Sequence, residues 1–138
     1  ESPHQAGARD RAAGSSGWWD TAVVHGGKAM SYLNLFDTEA AWRLVHCLGD
    51  EPCAVVVKHA NPCGAAVGAD IADAYLSAHR CDPVSAFGGV VSWNGQTQKQ
   101  AQQSLYLAPR SFITGVINAK LSTVTRCPGW SRRSLREE

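Results

Sequence analysis

Along this chain the apolar positions switch between two spacings. In "EAAWRLVHCL", Ala41, Leu44, Val45 and Leu48 recur at three- and four-residue intervals, the period of an amphipathic helix. Asp37 or Thr38 stands where a cap would start that helix, and Gly49 where one would end. A second helix is expected over "IADAYLSAHR", with Asp70 as its cap and Ile71, Ala74, Tyr75 and Ala78 on one face. Between them the period is lost: Val55-Val56-Val57 is a continuous apolar run, which fits a strand covered on both faces. Shorter extended stretches are expected at Thr21 to Val24, at "VVSW" and at "SFITGVI", and a glutamine-rich helix over "QTQKQAQQSLYLAP".

Turn chemistry fills the gaps. Gly7, Gly14, Gly17 and Ser15-Ser16 make the opening loop-like, and Gly26-Gly27 follows the first strand. Asn61-Pro62-Cys63-Gly64 reads as a turn after the valine strand, and "DPVSAFGG", residues 82 to 89, as a tight glycine-rich loop. The order strand, helix, strand, helix, strand predicts an α/β domain with no internal repeat.

Composition adds limits. With 138 residues, 44% hydrophobic and 18% charged, the chain is long enough for one domain with a real core. No apolar run approaches the roughly 18–20 residues that cross a bilayer, and "ESPHQAGARDRAAG" lacks a signal-peptide apolar segment, so a cytoplasmic protein without membrane contact is expected. Cys47, Cys53, Cys63, Cys81 and Cys127 are odd in number and contain no C-x-x-C pair, which favours free thiols.

The net charge of +1 gives no reason to expect nucleic acid, but it is unevenly spread. Residues 1–95 hold six Lys/Arg against ten Asp/Glu, a balance of −4; residues 96–138 hold seven against two, a balance of +5. That step predicts a boundary, with 96–138 a basic tail that is disordered or out of frame.

Lys58-His59 is the first candidate for chemistry. A strand end is where ligand crevices lie in open α/β sheets. A lysine there is ordinarily structural, its stem packed and its ammonium in water, and a lone histidine is ordinarily a satisfied one. The functional alternative has a mechanism: an imidazole can take a proton from a nucleophile, while a neighbouring ammonium stabilises a developing oxyanion. Adjacent residues on a regular strand point to opposite faces, so both serve one site only if the backbone turns there.

"DPVSAFGG" is the second candidate, either a simple turn or a loop whose backbone N–H groups approach a ligand while Phe87 stacks on a flat ring. His25-Gly26-Gly27-Lys28 is a third and weaker one, and Trp18, Trp19 and Trp42 read as packing residues. A zinc deaminase site would need H-x-E and P-C-x-x-C; His59-Ala60-Asn61 lacks the glutamate and Pro62-Cys63 lacks the second thiol, so no metal is expected.

"KHANPCGAAVG" followed by "DPVSAFGGVV" resembles the AICAR transformylase region of the bifunctional AICAR formyltransferase/IMP cyclohydrolase family of purine synthesis. "SPHQ" at 2 to 5 and "HGGKAMSYLNLFDTEAAWRLV" at 25 to 45 are similar to segments upstream of that region's lysine-histidine pair, so the resemblance covers roughly residues 1–95. It implies a partial cytidine-deaminase-like α/β unit without zinc. It also implies transfer of a formyl group from the co-substrate 10-formyltetrahydrofolate to AICAR ribotide, in a homodimeric parent enzyme that also closes the product to IMP. By the same resemblance, Lys58 and His59 are catalytic, and Ser85, Phe87 and Gly88 lie at the AICAR site.

The departures are specific. The arginine and tyrosine that precede the first motif are missing, and Ser2 stands where asparagine is usual. The chain therefore reads as a fragment, expected to be inactive alone. The rival expectation is a non-catalytic binding or dimerising module that uses its basic tail.

Overall fold

The computed structural model of the chain describes residues 9–25, 30–94, 115–118 and 123–125. They form a mixed α/β unit. Strand β1 is Val23–His25, helix α1 Tyr32–Cys47, β2 Cys53–Lys58, β3 Asn61–Val67, α2 Ile71–Cys81, β4 Val90–Trp93, β5 Gly115–Asn118 and β6 Thr123–Thr125. The sheet order is β1-β6-β5-β4-β2-β3. β2 lies between two antiparallel neighbours, β3 and β4, whereas β4–β5 and β1–β6 are parallel pairs.

The valine strand is covered on both faces, as its composition requires. Alternation along β2 sends Ala54 and Val56 to one side, where Ile71, Ala74, Tyr75 and Ala78 of α2 pack with Val91 and Trp93. Cys53, Val55 and Val57 go to the other side, against Ala41 and Val45 of α1. Trp18, Trp19 and Trp42 extend that second cluster. The indole N–H groups of Trp18 and Trp19 both donate to Glu39 Oε2 at 3.0 Å, so these rings pack as expected.

α2 follows the sequence pattern closely. Asp70 Oδ1 accepts the Asp73 N–H at 2.9 Å, and Asp73 Oδ2 reaches back to the Ala69 N–H at 3.1 Å. The helix lies unusually close to β3. A Cβ at Gly64 would overlap the carbonyl of Ala78, and one at Gly68 would overlap the backbone of Ala74. Gly64, Ala66 and Gly68 share a face by the two-residue period, and their small size admits the helix.

Three expectations need correction. α1 begins at Tyr32, capped by the Ser31 hydroxyl, which accepts from Asn34 N–H at 3.4 Å. Asp37 and Thr38 are therefore inside the helix, buried, rather than caps. Asn61-Pro62-Cys63-Gly64 is not a turn but the start of β3, and the turn lies two residues earlier, at His59-Ala60. Pro62 is admissible because β3 is the end strand among the described residues and carries a bulge there. The first strand runs Val23–His25 rather than from Thr21.

The "VVSW" strand is present as β4, and part of "SFITGVI" forms β5. Gly49, at φ 91, follows the end of α1. The glutamine-rich helix, Gly26 to Lys28 and most of the basic tail lie outside the described residues. No helix among the described residues is long and apolar enough to cross a membrane.

Candidate functional site: the Lys58–His59 turn and the Asp82–Gly89 loop

Lys58 ends β2 and pairs with Asn61, the first residue of β3, so only His59 and Ala60 connect the two strands. A type I′ two-residue hairpin, whose twist matches that of its strands, needs positive φ at both central positions, the reason asparagine and glycine are preferred there. Here φ is 53 at His59 and 57 at Ala60. Two hydrogen bonds fix this conformation. Asn61 Nδ2–H donates to the His59 carbonyl at 2.8 Å, and the Ala60 N–H donates to Asp37 Oδ1 at 2.7 Å.

Inside the hairpin the register shifts by one residue. Val56 faces Gly64 and Val57 faces Pro62, leaving Cys63 as the extra residue of a bulge. The bulge brings Cys63 onto the α2 face with the core cluster there. Burial pushes the Cys63 thiol up, and among neighbouring charges Asp82 and Asp37 raise it further while Lys58 pulls it down. The raised pKa keeps Cys63 a thiol at neutral pH, which disfavours a nucleophilic role.

The Asp82–Gly89 loop closes the other side. Asp82 Oδ1 accepts the Ser85 N–H at 2.9 Å, and its carboxyl is held below the usual range first by the Ser85 hydroxyl and then by backbone N–H groups. Backbone bonds run from Ala86 N–H to the Asp82 carbonyl (3.0 Å), from Phe87 N–H to Val84 (3.4 Å) and from Gly89 N–H to Ala86 (3.0 Å). These four amides are therefore engaged within the loop. It turns outward Pro83, Val84, Ser85 and the half-exposed ring of Phe87.

Both glycines have geometric reasons. Gly88 has φ 79, and a Cβ on Gly89 would stand 2.9 Å from the carbonyl oxygen of Val57. The loop thus rests directly on the end of β2. Lys58 completes the join: its Nζ donates to the Phe87 carbonyl oxygen at 2.8 Å.

Two stretches separated by more than twenty residues therefore meet at one hydrogen bond. Lys58, His59, Ser85, Phe87 and Gly88 lie on adjoining segments at one end of the β2–β4 pair. His59 is exposed at the tip of its turn, and Lys58 is partly buried against the loop. His25 and Lys28 cannot be placed beside them, because the His25 side chain and Lys28 lie outside the described residues. No group of three His, Cys, Asp or Glu side chains among the described residues is arranged to hold a metal ion.

A model of the AICARFT/IMPCHase bienzyme family matches residues 1–125. The chain belongs to that family. Its members are bifunctional transformylase/cyclohydrolase enzymes of purine biosynthesis. The match takes in both stretches joined at Lys58, and it extends past the charge step at residue 95 to include β5 and β6.

Two site residues escaped sequence reasoning. Asp37 looked like a helix cap, although its place four and eight residues before buried Ala41 and Val45 is the signal that it faces inward. Cys63 was hidden inside apparent turn chemistry.

Proposed function

We propose that the Lys58–His59 turn and the Asp82–Gly89 loop are part of a formyl-transfer site. It would move a formyl group from 10-formyltetrahydrofolate to the 5-amino group of AICAR ribotide. The observation that carries this reading is the Lys58 Nζ–Phe87 carbonyl bond of 2.8 Å, which brings together two stretches that both lie inside the family match.

The acceptor amine is a poor nucleophile, because its lone pair is delocalised toward the neighbouring carboxamide. As nitrogen attacks the formyl carbon, one N–H bond must break and the carbonyl oxygen gains negative charge. His59, exposed at the turn, takes the proton. Lys58, already held as a donor at 2.8 Å from one carbonyl oxygen, supplies positive charge for the tetrahedral oxyanion. Collapse then breaks the bond from the formyl carbon to the folate nitrogen, and the protonated His59 returns its proton to that nitrogen. The half-exposed Phe87 ring offers an apolar face for the flat imidazole of the substrate, with Ser85 and Gly88 beside it. The chemistry calls for no metal ion. The same reading carries a cytoplasmic homodimer as its setting.

The test is formyl transfer by the bienzyme carrying these residues, with and without His59→Ala. Loss of a general base lowers kcat by about 10²–10⁴-fold. A variant that transfers formyl groups at the wild-type rate would remove His59 from the mechanism.

A further inference from the structure

Asp37 sits on the inward ridge of α1, in line with Ala41 and Val45, which are both fully buried. It is itself only 5% exposed. A leucine would serve the core better at such a position, since burying a carboxylate is unfavourable unless it is hydrogen-bonded. The bond it makes is the 2.7 Å contact with the Ala60 N–H, across 23 residues of sequence. Ala60 and His59 both hold positive φ without being glycine, a conformation that persists only where surrounding structure determines it. Asn61 Nδ2 steadies the His59 carbonyl from inside the hairpin, and the bond from Asp37 ties the turn to α1.

We propose that Asp37 is a positioning residue for the Lys58–His59 pair. Its carboxylate holds the Ala60 amide, and so fixes the left-handed turn that aims His59 outward while Lys58 stays against the Asp82–Gly89 loop. Its value to catalysis rests on the formyl-transfer reading, but its hold on the turn does not.

The turn is tested in the full chain by NMR, comparing wild type, Asp37→Ala and the double variant Asp37→Ala/Ala60→Gly. Backbone carbon shifts of residues 59 and 60 report the turn, and amide exchange at Val55 to Val57 reports the intact core. In Asp37→Ala, His59 and Ala60 are expected to leave their left-handed shifts, and exchange at Ala60 to quicken at least about tenfold with the strand unchanged. In the double variant, glycine adopts positive φ unaided, so the His59 shifts are expected to return. Wild-type shifts at His59 and Ala60 in Asp37→Ala would overturn the proposal. If Asp37→Ala alone does not fold, rescue by Ala60→Gly supports the proposal and failure to rescue overturns it.

Catalysis gives a second readout. Asp37→Ala is expected to lower kcat on the order of 10²-fold with little change in KM for AICAR ribotide, and Ala60→Gly to restore much of it. A loosened turn with formyl transfer undiminished would leave Asp37's hold intact and sink the role given to His59.

Discussion

Two short loops meet at Lys58, and they reach the same region of backbone space by different means. In the Asp82–Gly89 loop the left-handed residue is Gly88, at φ 79, where no side chain is crowded. In the β2–β3 turn the left-handed residues are His59 and Ala60, at φ 53 and 57. The first loop is relaxed by composition. The second is strained by composition and held by Asp37 and Asn61. The difference teaches how a turn is held without glycine: under the proposed formyl-transfer role its tip carries an imidazole rather than Asn-Gly, and the restraint comes from Asp37 on α1 together with Asn61.

That contrast can be broken most severely at Gly89. A Cβ there would lie 2.9 Å from the Val57 carbonyl oxygen and 3.3 Å from Val56 Cγ1, so Gly89→Val must push the loop off β2. A loss of about 3 kcal/mol is expected, at the upper end of ordinary overpacking, read as a lower midpoint in urea unfolding. A loss below about 0.5 kcal/mol would show that the loop does not rest on the strand.

The pair Gly88→Ala and Ala60→Gly then exchanges the two solutions. Alanine at Gly88 meets nothing within 4 Å, so it costs only the left-handed conformation, about 1–2 kcal/mol. Glycine at Ala60 relieves the same strain and is expected to stabilise by about 0.5–1 kcal/mol, reduced from the full relief by glycine's freedom in the unfolded chain. Opposite signs sharpen the comparison, and equal signs would refute it.

The smallest effect is a pH dependence. The Asp82 carboxyl is depressed in the folded chain, first by the Ser85 hydroxyl and then by loop N–H groups. A depressed carboxyl contributes stability above its unfolded pKa, and that contribution fades as pH falls through the folded value. Acid should therefore loosen the Ser85–Phe87 segment as pH falls through that depressed value. Asp82→Asn should flatten that part of the profile, with amide exchange at Ser85 as the readout.

Much of this arrangement is legible in the residues, and the illegible parts share a cause. α2 was readable because its cap, its apolar face and its end are all local to Asp70 through Cys81. β2 was readable because three valines admit few other environments. β3 was not, because Asn61-Pro62-Cys63-Gly64 carries genuine turn chemistry that an end strand with a bulge tolerates. The start of α1 was misplaced for a related reason. Asp37 is a good cap by type, and the amide that satisfies its buried carboxylate, that of Ala60, is distant in sequence. Lys58 and His59 stood out as polar residues ending an apolar run. Their join to Phe87 depends on a tertiary contact that no local pattern encodes.

The proposed formyl-transfer role requires the turn and the loop to act as one site for AICAR ribotide. It is tested most directly by titrating that nucleotide into the protein and following the backbone amides by NMR. Lys58, His59, Phe87 and Gly88 are expected to shift together on a single saturation curve, while amides at the outer end of α1 near Cys47 stay still. Shifts confined to one segment, separate curves for turn and loop, or no movement at either would contradict it.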